Sequence, residues 1–147
     1  MTDQPATRID SILVPTDGSK AAKRAAKQAI ELANEYDATV HAMYVMDMGD
    51  VNYVAVPSDI AETRERLTKK GRKFVTSIEE LATEANVECV GVVKSGVPEQ
   101  EIIEYADEMD IDLIVMGKRG RSDPDKPLIG STTNRVVGHT DVPVRVV

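Results

Sequence analysis

The sequence predicts a doubly wound α/β domain: a five-stranded parallel sheet with helices on both faces. Three observations predict it. Short apolar runs alternate with amphipathic helical stretches from residue 9 onward, and the series ends on a strand. Strands separated by helices run parallel, because a crossover returns the chain to the same end of the sheet. The glycine- and hydroxyl-rich segments follow strands one, three and four, where an open parallel sheet binds its ligands.

Each element has its own signal. Residues 1–8 read as a flexible polar tail containing Pro5, and residues 9–147 as a single domain. Ile9 to Pro15 is an apolar strand stopped by Thr16-Asp17-Gly18-Ser19. Ser19 is suited to cap a first helix whose apolar face is Ala22, Ala25, Ala26, Ala29, Ile30 and Ala33. So thin a face predicts close packing on the sheet. Ala38 to Met46 forms the second strand, and Asp47 to Pro57 a loop. Ser58 opens a long helix to about Ala85, with Leu67, Phe74, Ile78, Leu81 and Ala85 on one stripe. Val87 to Val93 is strand three, followed by Gly96-Val97-Pro98 and a helix burying Ile102, Ile103, Ala106 and Met109. Asp112 to Met116 is strand four, Gly117 to Gly130 a basic, glycine-rich loop, Ser131 to about His139 a helix, and Val142 to Val147 the last strand.

The totals exclude several classes. A chain of 147 residues suits one domain, and 41% apolar residues give it a core. The formal net charge of −7 argues against sequence-independent nucleic-acid binding and against anionic membrane surfaces. Cys89 is the sole cysteine, which removes intramolecular disulfides and cysteine-rich zinc sites. No apolar run approaches the roughly 20 residues of a membrane span. No secretory leader is visible, so the expected location is cytoplasmic.

If strands one and four are neighbours, their following loops enclose one crevice. Glycine lets backbone N–H groups approach an anion, and Gly130 precedes a helix whose N-terminus carries unpaired N–H groups. Ser131 and Thr132 add hydroxyls, and Lys118, Arg119, Arg121 and Lys126 add positive charge. A phosphate cradle and an ordinary turn with a helix cap both fit this pattern. Asp17 stands at the mouth of the same crevice, either as an acceptor for a base or sugar, or as a cap of the first helix with Ser19. The backbone near Val45, at the end of strand two, is a further contact for a small ligand's edge.

The spacing Gly117-x2-Gly120-x9-Gly130-Ser131 resembles the signature G-x2-G-x9-G-[S/T] of ATP-binding universal stress proteins. The segments Ile12 to Ser19, Tyr44-Val45-Met46-Asp47, Ser95 to Pro98, Ile114-Val115-Met116 and Asp141 to Val147 are similar to that family's other motifs, in the same order. The resemblance covers about Ile9 to Val147. It implies a Rossmann-like sheet of the adenine nucleotide alpha hydrolase kind, with strand order 3-2-1-4-5. It also implies that Asp17 and the Val45 backbone hold adenine, and that Pro15, Thr16 and Gly117 line base and ribose. Gly120, Gly130, Ser131 and Thr132 would then bind phosphates, with Met116, Lys118, Arg119 and Arg121 beside them. The implied ligand is ATP, or AMP or ADP, with Mg2+ or Mn2+ on the phosphates. The implied role is that of a nucleotide-responsive stress or regulatory protein. It would form a homodimer through the last strand and act on a protein partner that the sequence does not identify. The alternative is a nucleotide-free interaction module of the same fold. Two features depart from the family pattern: Lys118-Arg119, where small polar residues or His are common, and the stiff acidic insert Asp123 to Pro127.

No dedicated catalytic machinery is legible. The chain lacks a G-x4-G-K-[S/T] loop, so hydrolysis of bound ATP is expected to be weak at most. His41 is expected to be a packed strand residue, His139 a helix C-terminal cap and Cys89 an inert core thiol. A phosphoacceptor response regulator would need an aspartate after strand three, where Lys94-Ser95-Gly96 stands. A flavodoxin would need aromatics, which are 3% of the chain.

Overall fold

The structure is a computed structural model that describes residues 8–47, 57–118 and 130–147. The elements run β1 (Ser11–Pro15), α1 (Lys20–Tyr36), β2 (Thr39–Met46), α2 (Pro57–Glu84), β3 (Cys89–Ser95), α3 (Pro98–Glu108), β4 (Leu113–Met116), α4 (Ser131–His139) and β5 (Val144–Val146). The sheet order is β3-β2-β1-β4-β5 and every pairing is parallel, as expected. The expected tail lies outside the described residues except for Arg8.

Alternation along the strands divides the core in two. Ile12, Val14, Val40, Ala42, Tyr44 and Val115 face α1 and α2. Leu13, Met43, Ile114 and Met116 face α3 and α4, with Ile102, Tyr105 and Val136. The alanine face of α1 is buried throughout, which lets the helix lie close to the sheet. On α2 the expected stripe packs into the first core, joined by the fully buried Val75 and Ala82.

Three helices stop in the same way. Asp37, Asn86 and Asp110 take positive φ of 59°, 60° and 52°. The next residue, Ala38, Val87 or Ile111, is buried and donates its N–H to the carbonyl of Ala33, Ala82 or Ala106. This is the Schellman closure, made with Asp and Asn instead of glycine, since their short polar side chains tolerate the left-handed region. It corrects two expectations. β3 begins at Cys89 and not at Val87, because Val87 is spent on ending α2. Met109 is 47% exposed, because α3 ends before it and Ile111 takes the buried position. Ile103 is half-buried, and Tyr105 fills the α3 face.

His41 is buried and shares a hydrogen bond of 2.7 Å with the Tyr105 hydroxyl, so it is the packed strand residue expected. Burial lowers its pKa below the ordinary 6.5. The unfolded chain therefore takes up a proton at His41 that the folded chain refuses. Stability should fall as pH drops below about 6.5 and level off below the lowered folded value. Denaturant titrations from pH 7.5 to 5 should show this slope, and His41→Gln should flatten it. An unchanged slope in that variant would assign the dependence elsewhere. Cys89 is half-buried, being on an edge strand, and burial together with the Glu79 carboxylate pushes its thiol up to about 11. An inert thiol is the consequence. His139 Nδ1–H donates to the Arg135 carbonyl at 2.8 Å, a local contact at the α4 C-terminus.

Candidate functional site

The sheet order reverses direction at β1 and β4. β1 leads to α1 on one face, and β4 leads to α4 on the other. A crevice must open between their carboxyl ends. A cleft of ≈ 230 Å³ lies there.

Its walls hold many of the residues singled out from the sequence: Pro15, Thr16, Asp17, Val45, Met116, Gly117, Gly130, Ser131 and Thr132. Lys118 is described, but it is exposed and does not line the cleft. Arg119, Gly120, Arg121, Lys126 and the insert Asp123 to Pro127 lie outside the described residues. Ser19 and Pro98, from the turns expected around the crevice after strands one and three, also line it, and sequence reasoning missed Ala22, Met43, Ile102 and Thr133. Met43 was findable, because it alternates with Val45 on the same side of β2. Pro98 and Ile102 become neighbours only through the docking of α3.

The turn after β1 is internally bonded. Thr16 Oγ1 accepts the Gly18 N–H at 3.1 Å, Asp17 Oδ1 accepts the Ser19 N–H at 2.9 Å, and Ser19 Oγ accepts the Ala22 N–H at 3.1 Å. Ser19 is thus the helix cap expected, and Asp17 supports the turn that delivers it. One Asp17 oxygen is committed, and among the described residues none bonds the other. Gly18 has φ +79°, and a Cβ there would meet the Phe74 ring at 2.3 Å, so only glycine fits.

The far wall is pinned by a backbone relay. Val147 N–H donates to Met116 O at 2.8 Å, Lys118 N–H to Val147 O at 2.8 Å, and Gly130 N–H to Lys118 O. Thr133 Oγ1 adds a bond of 2.9 Å to Gly117 O. The start of α4 is therefore held at the end of β4. Gly130 brings no side chain to cap α4, so among the described residues the first-turn N–H groups have no side-chain cap. Gly117 has a structural reason for being glycine: a Cβ there would lie 2.8 Å from the carbonyl carbon and the Cβ of Ala21.

The resulting cleft joins apolar side chains (Pro15, Ala22, Met43, Val45, Ile102, Met116) with hydroxyls, one carboxylate and a helix N-terminus. That combination takes a flat, largely apolar ring with hydrogen-bonding edges, and a negative group at α4.

Comparison with known proteins agrees over the whole domain. The profile of the universal stress protein family matches residues 8–147. The chain is 37% identical to the universal stress protein MJ0531 of Methanocaldococcus jannaschii over 138 residues, covering 92% of this chain and 80% of the relative. It is 31% identical to the universal stress protein YxiE of Bacillus subtilis, covering 95% and 99%. Among solved structures, universal stress protein UspA from Lactobacillus plantarum superimposes with a TM-score of 0.86 at 28% identity, covering 96% and 99%. Fold, cleft and sequence together show that the chain belongs to the universal stress protein family.

Proposed function

We propose that the protein binds an adenine nucleotide in this cleft and works as a nucleotide-responsive regulator. One observation carries the reading: Asp17, Val45, Met116 and the uncapped start of α4 converge on a single cleft at the switch point of the sheet. In this reading the base sits among Met43, Val45 and Ile102, with Asp17 at its edge, and the phosphates lie toward Ser131 and Thr132. Two neighbours of the same fold, each at 22% identity, were solved in complex with cAMP and with dAMP. At that identity they speak for the fold, and the argument for this chain rests on its own residues.

Asp17 is the one carboxylate among the described lining residues, beside the Ser131 and Thr132 hydroxyls. That set suits a Mg2+ or Mn2+ ion carried mainly by phosphates and water, and is too sparse for an all-protein cage. In the same reading the chain pairs with its own copy through β5, an edge strand of the sheet.

Calorimetry with ATP and AMP tests the site. Asp17→Ala should weaken both alike, since both carry the base. The expected loss is about 1.5–3 kcal/mol, the scale of a hydrogen bond to a charged group. If Asp17 serves only the turn, stability should drop by about 1 kcal/mol while affinity holds. Absence of any nucleotide binding by the unmodified protein would leave the interaction-module reading in its place.

A further inference from the structure

Charge in this molecule is segregated, and net charge hides it. Ten of the 18 basic residues fall in two short stretches: Lys20, Lys23, Arg24 and Lys27 on α1, and Arg64, Arg66, Lys69, Lys70, Arg72 and Lys73 on α2. The single acid within them is Glu65, which pairs with Lys69 at 3.5 Å. The stretches carry a formal +9 while the chain carries −7, so the remainder carries −16. Glu31, Glu62 and Glu79 are the nearest acids along the same two helices.

The two stretches share one face. α1 and α2 pack on the same side of the sheet, and Phe74 lies against Gly18, level with the start of α1. Both helices run back from the carboxyl ends of the strands. Helical spacing turns Arg66, Lys69, Lys70 and Lys73 to the outer and α1-facing sides of α2, and Arg64 and Arg72 to the flank where Val75 and Glu79 meet Gly91 of β3. Those four lie outward of that level and the α1 cations inward of it, in a staggered stripe of eight roughly 25 Å long at 1.5 Å per residue. All ten are exposed except Lys70, which is half-buried with Nζ 6.0 Å from the Phe74 ring centre.

Two further observations define what the stripe fits. The first turn of α1 has no acidic residue, and Lys20 and Lys23 sit at the positive end of the helix dipole. Cations there are unfavourable until an anion arrives. Among the described residues the exposed large apolar ones are Tyr36, Val90, Val97, Met109 and Val137, all outside the stripe. A stable protein interface needs an apolar centre, and a single-strand surface needs aromatic platforms. Neither is present among the described residues of this face, so the recognition argued for it rests on charge.

We propose that the α1–α2 face binds the phosphate backbone of double-stranded nucleic acid without reading sequence. A duplex presents one negative charge per roughly 1.7 Å, so the stripe spans several phosphates. The acidic remainder repels the duplex and turns this face toward it. The proposal departs from the expectation drawn from net charge, which averages over opposite faces.

The test is fluorescence anisotropy of the full chain with a labelled duplex of mixed sequence, between 50 and 200 mM salt. With about four phosphates contacted, log K should fall against log salt with a slope near −3.6, roughly a hundred-fold across that range. Changing Lys23, Arg24 and Lys27 to Glu should remove most binding and leave the fold intact, because these side chains are exposed. Arg135→Glu, on α4 and outside the stripe, should bind as wild type. Absence of salt-dependent binding, or full binding by the triple variant, would overturn the proposal. Equal binding to poly-glutamate would replace it with an acidic protein partner. Binding only to phosphatidylserine vesicles would replace it with a membrane surface.

Discussion

Replacing Val146 with proline is expected to turn the dimer proposed above into a monomer while leaving each subunit folded. The ladder between β4 and β5 uses Ile114 N–H to Pro143 O and Val147 N–H to Met116 O. Alternation then turns the N–H and C=O groups of Val144 and Val146 toward the open edge. Proline at 146 removes one outward donor and touches no bond to β4. A two-fold axis doubles the loss. Two bonds at about 1 kcal/mol each raise the dimer dissociation constant roughly thirty-fold, before steric effects. Val144→Asp would be a blunter probe, because Val144 also packs against the core beneath α3 and α4. Sedimentation velocity over a concentration series reads the result. A Val146→Pro protein that dimerises as tightly as wild type would move the interface away from β5.

Gly117→Val is expected to lower stability and ligand affinity together. The new Cβ would stand 2.8 Å from backbone and side-chain atoms of Ala21, which cannot yield without moving the start of α1. Ser19 and Ala22, on the same turn, line the cleft. Overpacking of this kind costs about 1–3 kcal/mol, or roughly 3–10 °C in melting temperature for a domain of this size. Adenine nucleotide affinity should fall because the wall carrying Asp17 and Ser19 shifts. Scanning calorimetry beside nucleotide titration separates the contributions. An unaltered melting temperature with lost affinity would make Gly117 a ligand contact and remove its packing role.

Much of the fold was legible because burial imposes a period. The five alanines Ala22, Ala25, Ala26, Ala29 and Ala33 could occupy only one helical face, and that face is buried. Strand alternation placed Ile12 and Val14 on one side and Leu13 on the other. Element ends were less legible, because the signals were sought in glycine and proline. Asp37, Asn86 and Asp110 end their helices with aspartate and asparagine, and the following apolar residue looks like the start of a strand. The site was legible in its turns. Pro15 to Asp17 and Gly130 to Thr132 interrupt apolar patterns and do meet in one cleft. Lys118 is exposed and outside the cleft wall, and its backbone serves the relay, a placement that its charge in the sequence does not give.

The sequence by itself determined the element order, the parallel sheet, the thin first helix and the end of the sheet where the cleft would open. Each follows from periodicity and from the geometry of crossovers, which act over short stretches of chain. Only the tertiary structure decided that Met43 and Ile102 close the cleft and that Gly117 is glycine for the sake of Ala21. It also decided that the two helices carrying the basic stretches, some forty positions apart, pack on the same side of the sheet. These are contacts between residues far apart in the chain. They depend on which helix lies on which face and at what height, and no local pattern encodes that.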